Sequence, residues 1–216
     1  HSCVYFIIEG DFRTNGYISE YKEVDFGFDF YAPQTFMHDG RRLLMGWMGM
    51  PDASYTNPTL EYGYQHCMRV FRELDFKDNT LYMKPVKELE SIRKPVFEYA
   101  EEKVIYKNTD DKRAFELEIS NFGENLKIEI FDTVKLDFDA NRGDLELSFI
   151  ANGYGRDKRY LKIKSLESLR IMIDSSSLEI FVNNGKYVMS TRMYPSNYSD
   201  IKVSGNIRGK LYSLDI

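Results

Sequence analysis

The 216-residue chain is 43% hydrophobic, enough apolar material for one large or two small packed domains. Its net charge of −5 and sequence pI near 5.4 argue against a nucleic-acid binder and against a polybasic membrane surface. No apolar run approaches the roughly 18–20 residues that cross a bilayer, and two cysteines, Cys3 and Cys67, make no disulfide framework, which favours a reducing, cytoplasmic setting.

In chain order, Val4-Tyr5-Phe6-Ile7-Ile8 is a wholly apolar run, as in a strand buried on both faces. Asn15-Gly16 reads as a hairpin turn, and His38-Asp39 as a second surface turn. Arg42-Leu43-Leu44-Met45-Gly46-Trp47-Met48 is a second buried strand, and residues 51–63, with Pro51, Asp52, Asn57, Pro58 and Gly63, form a loop. Val86 to Arg93 is expected to be helical, with Val86, Leu89 and Ile92 on one face and Pro95 as the stop.

From Phe97 onward the period is two. Phe115-Glu116-Leu117-Glu118-Ile119, Leu126-Lys127-Ile128-Glu129-Ile130, Leu145-Glu146-Leu147-Ser148-Phe149, Leu161-Lys162-Ile163-Lys164 and Leu178-Glu179-Ile180-Phe181-Val182 alternate as half-buried strands. Turn signals at Asn121-Phe122-Gly123, Asn141-Arg142-Gly143 and Asn183-Asn184-Gly185 separate them. Two packed antiparallel sheets are expected, with Phe115, Leu117, Ile128, Ile130, Leu147, Ile171, Ile173, Ile180 and Val182 in the core. The 16 Tyr and 15 Phe against one Trp fit both core packing and a sugar-stacking surface.

Two stretches carry a family resemblance. Phe26-Gly27-Phe28-Asp29-Phe30-Tyr31-Ala32-Pro33-Gln34, followed by Gly46-Trp47-Met48-Gly49, resembles the last propeller blades of glycoside hydrolase family 32. Asp174-Ser175-Ser176-Ser177-Leu178-Glu179-Ile180-Phe181 resembles a strand of that family's C-terminal sandwich, and residues 65–74 and 81–89 resemble the crossover between them. The resemblance implies an all-β fold: the last blades of a five-bladed β-propeller over residues 1–84, a linker with a short helix over 85–96, and an antiparallel β-sandwich over 97–216.

It further implies a retaining glycosidase that hydrolyses β-fructofuranosidic bonds in sucrose or sucrose-6-phosphate, with a fructan as the runner-up substrate. Such an enzyme uses one carboxylate as nucleophile and another as acid. The family carries these groups in Asn-Asp-Pro, Arg-Asp-Pro and Glu-Cys motifs, and none occurs here. The catalytic trio is therefore expected upstream of His1, and no catalytic residue is assigned within the chain. By resemblance, Tyr31 lies beside the acid, Trp47 presents an apolar face to the fructosyl ring, and Asp29 accepts hydrogen bonds from sugar hydroxyls or from its own blade.

No cofactor and no metal site is expected: His66-Cys67 lacks a second ligand pair at a useful spacing. Ser175-Ser176-Ser177 reads as a turn or strand edge, and Arg156-Asp157-Lys158-Arg159 as a solvated loop of mixed sign. The expected partners are a fructose-containing sugar and the missing N-terminal propeller half; exposed strand edges in residues 1–50 are expected to drive self-association when that half is absent. The competing expectation is a non-catalytic β-sandwich module that binds carbohydrate or a partner subunit.

Overall fold

The computed structural model describes residues 2–14, 16–120 and 123–215. Among them the chain forms nineteen strands and two short 3-10 helices. The turn signals at Asn15-Gly16 and Asn121-Phe122-Gly123 involve Asn15, Asn121 and Phe122, which lie outside the described residues.

The first region begins with four two-residue strands, β1 (Val4–Tyr5), β2 (Ile8–Glu9), β3 (Tyr17–Ile18) and β4 (Lys22–Glu23), in which β1 pairs with β4 and β2 with β3. The expectation of one strand buried on both faces is corrected here. Val4, Phe6 and Ile8 are 39%, 52% and 45% exposed, because no second layer covers these pairs among the described residues. β5 (Tyr31–His38), β6 (Arg41–Met48), β8 (Arg72–Lys77) and β9 (Thr80–Pro85) then form an antiparallel sheet in that order, and β7 (Cys67–Met68) pairs with the far end of β6. Asp39 and Gly40 sit at positive φ in the two-residue turn that closes His38 onto Arg41. β6 is largely buried, as its apolar run requires: Leu43, Leu44, Gly46 and Met48 point into packing.

Between the regions the expected helix is one 3-10 segment, Lys87–Ile92, with no buried residue of its own. It gives way at once to a 14-residue strand, β10 (Arg93–Tyr106), so the strand starts before Phe97. Pro95 does not terminate a helix. It lies inside β10, where the register shifts, and its missing N–H is tolerated because β10 pairs with a single neighbour.

The second region continues with β11 (Phe115–Ser120), β12 (Asn125–Ile130), β13 (Val134–Asp139), β14 (Asp144–Phe149), β15 (Lys158–Lys162), β16 (Ser168–Asp174), β17 (Ser177–Val182), β18 (Tyr187–Arg192) and β19 (Ile201–Leu214). Instead of two separate sheets, these strands form one ten-stranded sheet folded over a shared core. The fold-over occurs on β19. Its first residues pair with β12, as in Lys127↔Ser204, and its later residues pair with β11, as in Ser120↔Arg208. Gly205 stands between these segments at φ +139, and a Cβ there would lie 2.6 Å from the Asn125 carbonyl oxygen. A residue with no Cβ is what lets the strand change partner at this point.

Phe115, Leu117, Ile128, Ile130, Leu147, Ile171, Ile173, Ile180 and Val182 are all buried in that core. β16 to β18 are covered on their outer face as well. There Met172, Phe181 and Val188 pack with Val24, Phe30, Leu44 and Met83 of the first region. Each such side chain taken out of water contributes roughly 1.5–3 kcal/mol, so this second cluster attaches the first region to the sheet. The segment before β5 also lies along β18: Phe26 and Phe28 donate their N–H groups to the Val188 and Ser190 carbonyls at 2.8 and 2.7 Å. That pairing covers a sheet edge that would otherwise stay open.

Candidate functional site

The β5–β6 hairpin brings the two aromatic residues singled out above together. Tyr31 and Trp47 are register partners, with ring centroids 6.3 Å apart. The register slips between Tyr31 and Gln34, where Ala32 takes a positive φ and Pro33 has no N–H to give the ladder. His66, just before β7, packs edge-on against Trp47 at 4.4 Å between centroids. This close approach depends on Gly49, where a Cβ would fall 2.8 Å from the His66 ring. Burial, and then the nearby Arg192 charge, lower the pKa of His66 below the usual histidine value, so its imidazole is neutral at pH 7.

Asp29 occupies a different place from the aromatic pair. It is fully buried, and Arg156 grips its carboxylate with Nε at 2.7 Å and Nη2 at 2.8 Å. The Arg192 N–H and the Thr191 hydroxyl donate to the same group at 2.8 and 3.4 Å. Both oxygens are therefore engaged by the second region, neither by the hairpin of Tyr31 nor by open space. Arg156 is correspondingly no part of a solvated loop: it is 4% exposed and stacks over Tyr55. Lys158 and Arg159 begin β15, and Arg159 lies over the Phe28 ring.

A second buried ionic group lies among Asp25, Arg69, Arg72 and Glu179. Asp25 and Glu179 face Arg69 and Arg72, and Ser190 bridges them: the two guanidinium groups donate to its Oγ at 2.9 and 2.7 Å, and Oγ donates to Asp25 at 2.7 Å. Arg72 reaches Glu179 at 2.8 Å and Asp25 at 3.0 Å. The remaining oxygens accept backbone N–H groups, Val70 onto Glu179 and Ser190 onto Asp25. Burial first, and then Arg72, lower the pKa of Arg69 to about 10. Two acids against two bases leave no net charge, which is the condition under which such groups survive without water.

These ionic residues escape a reading of the chain alone. Glu179 sits in an alternating strand, where a charge normally faces solvent. The available signal is two arginines three positions apart around an apolar pair, Arg69-Val70-Phe71-Arg72.

A five-stranded antiparallel sheet joined by buried ion pairs to a ten-stranded sheet folded over its own core defines an all-β protein of two packed parts. Comparison with known proteins identifies it more closely. A model described as "Glycosyl hydrolases family 32 N-terminal domain" matches residues 1–85, and one described as "Glycosyl hydrolases family 32 C terminal" matches residues 114–210. The chain belongs to glycoside hydrolase family 32. It is 36% identical over 189 residues to a sucrose-6-phosphate hydrolase of Salmonella typhimurium, covering 86% of this chain and 39% of that protein. It is 34% identical over 192 residues to the enzyme of the same name from Bacillus subtilis, covering 82% and 38%.

Among solved structures, the sucrose-6-phosphate hydrolase of Lactobacillus gasseri superposes with a TM-score of 0.79 at 25% identity, over 91% of this chain and 43% of that one. A Bombyx mori β-fructofuranosidase of the family superposes with a TM-score of 0.80 at 24% identity, over 99% and 47%, a likeness of fold. The chain thus spans about two fifths of the length of these curated relatives.

Proposed function

We propose that the chain is the C-terminal part of a retaining β-fructosidase that cleaves sucrose-6-phosphate or sucrose in the cytoplasm. In this reading, residues 1–84 belong to the last blade or blades of a five-bladed propeller, 85–96 link, and 97–216 form the sandwich. The observation that carries the reading is the 36% identity, over most of this chain, to a protein named sucrose-6-phosphate hydrolase. The four-stranded order β5-β6-β8-β9 supports the blade assignment, since a propeller blade is a four-stranded antiparallel sheet.

The carboxylates that attack and protonate the fructoside come from propeller residues outside these 216. This chain contributes a wall. Tyr31, 39% exposed, accepts through its hydroxyl oxygen a hydrogen bond from the acid's protonated carboxyl, which favours the neutral form. Trp47 gives the fructosyl ring an apolar face. Asp29 is assigned to bracing the two regions through Arg156, since its oxygens are already engaged. The missing blades are the partner of the exposed apolar residues in 4–21, which self-associate in their absence.

The test is an assay of the purified chain against sucrose, its 6-phosphate and inulin. No turnover is expected, because a two-carboxylate mechanism deprived of both groups loses nearly all its rate enhancement. Turnover by the chain itself would overturn the assignment of the carboxylates.

A further inference from the structure

At the seam between the two regions is a cavity of about 640 Å³, within the roughly 300–1,000 Å³ of small-ligand pockets. It shares no residue with the group formed by Tyr31, Trp47 and His66. Its floor is the outer face of the ten-stranded sheet. Register places Ser120 between Arg208 of β19 and Ser168 of β16, and Glu118 between Lys210 and Arg170. Cross-strand partners share a face, as do residues two apart on one strand, so these side chains lie on one surface. Phe181, the register partner of Arg170, marks that surface as the outer one. The wall of the cavity is Lys84 and Pro85, at the end of β9. The β17–β18 turn holds that end, where the Met83 N–H donates to the Gly185 carbonyl at 2.8 Å. Gly185 stands at φ +83, and a Cβ there would fall 2.0 Å from the Met83 carbonyl oxygen, so glycine lets β9 approach.

The acids of this cavity are already paired, Glu98 with Lys210 at 2.8 Å and Glu118 with Arg93 at 2.6 Å. Lys84 and Arg208 have no acidic partner among the described residues. Arg170 bonds Glu116 through Nε, while its buried Nη2 has no acceptor there. The Ser120 hydroxyl and the Asn184 side-chain amide also lack a protein partner among the described residues. Beyond Asn184 lies a further cavity, with Lys77, Lys164 and Lys186 in its lining. The whole chain carries a net charge of −5, so the seam runs against the sign of the molecule and draws anions locally.

Two unpaired cations match the roughly two negative charges of a phosphate monoester at pH 7. A guanidinium fork beside serine hydroxyls suits its oxygens. A carboxylate would leave one of the cations unmatched. Phe181 and Pro85 give apolar cover, in a volume larger than the anion alone fills. We propose that the seam binds a small organic phosphate monoester, its dianion held by Lys84 and Arg208 and its body against Phe181 and Pro85. Lys84 belongs to the first region and Arg208 to the second, so the ligand fastens one to the other. The site stands independently of the roles given to Tyr31 and Trp47.

The full chain is titrated by calorimetry with glucose 6-phosphate, inorganic phosphate and glucose. The ester is expected to bind saturably, inorganic phosphate about tenfold more weakly, and glucose not at all. Lys84→Ala and Arg208→Ala should each weaken the ester about tenfold, as expected for one lost charge-assisted hydrogen bond. Both residues are exposed, so the variants keep the fold. Saturating ester should also slow hydrogen exchange in β9 and in the β17–β18 turn, because a ligand that spans the seam stabilises the docked state. An ester that does not bind, or that binds both variants as it binds the parent chain, overturns the proposal. Protection gained elsewhere but not in these two elements overturns it as well. Inorganic phosphate binding as tightly as the ester would reduce the seam to an anion trap and reject the organic ligand.

Discussion

Residues 93–214 and residues 2–85 solve the problem of burial in opposite ways. The first group closes one sheet over its own core, in which Phe115, Ile128, Leu145, Ile171 and Ile180 are fully enclosed. The second group has little interior of its own. Among the described residues, every exposed large apolar side chain except Ile105, Ile150 and Tyr160 lies between Val4 and Phe76. The buried residues of the first region, such as Val24, Phe30 and Leu44, are buried mainly against Met172, Phe181 and Val188 of the sheet. Order in the N-terminal region is therefore borrowed, through an apolar cluster and two buried ionic groups.

The largest effect should come from breaking the self-sufficient half. Ile180→Asp places an unpaired carboxylate in a fully buried site, a loss of about 3–5 kcal/mol. Both regions should then unfold together in chemical denaturation followed by circular dichroism. A variant that kept its transition midpoint would mean the core is not continuous across the fold.

A smaller and more local effect is expected from Glu179→Gln. It leaves Arg69 and Arg72 with only Asp25 as a charged partner, at about 3 kcal/mol. Because those arginines belong to the borrowed half, hydrogen exchange should rise in β5, β6 and β8 while β11, β16 and β19 stay protected. Equal loss of protection in both regions would remove the distinction drawn between them.

The two halves were also unequally legible in the sequence, for the same physical reason. Strands such as Asn125–Ile130 alternate buried residues with more exposed ones, so their alternation states their environment. Glu179, Arg72 and Asp29 break that logic: their charges are satisfied inside the protein, and a charge in a sequence carries no mark of its partner. Arg156 is the clearest case, a residue in a mixed-charge run that closes on a carboxylate 127 positions away. Val4-Tyr5-Phe6-Ile7-Ile8 misleads in the other direction. It is apolar throughout, yet among the described residues no second layer covers it, and so Val4, Phe6 and Ile8 are exposed. Tyr31 and Trp47 were each singled out through family resemblance but not as partners, whereas the adjoining His66 was read only as a discounted metal ligand, because its contact with Trp47 depends on a loop closing against β6.

The smallest effect sharpens the local geometry around Trp47 and His66. His66 faces Arg192 and Arg156, which disfavour its protonation, and Asp29, which favours it. With burial the leading cause, its pKa lies below the usual 6.5. Tryptophan emission excited beyond the tyrosine band should fall as the pH drops, with its midpoint below 6.5, as a protonated imidazole quenches the adjacent Trp47. His66→Gln should abolish the step. A transition centred above 6.5 would mean that Asp29 outweighs burial and the two arginines.

The central claim is that these 216 residues hold the sandwich and one wall of a family 32 site, while the reacting carboxylates stand on blades supplied from outside them. Its most direct measurement mixes the purified chain with a polypeptide carrying the N-terminal blades of a sucrose-6-phosphate hydrolase relative, and follows release of fructose from sucrose-6-phosphate. Neither piece alone should turn over substrate, and the mixture should do so, with Trp47→Ala lowering the restored rate. Hydrolysis by this chain alone, or a stable complex of the two pieces with no hydrolysis, would contradict the account.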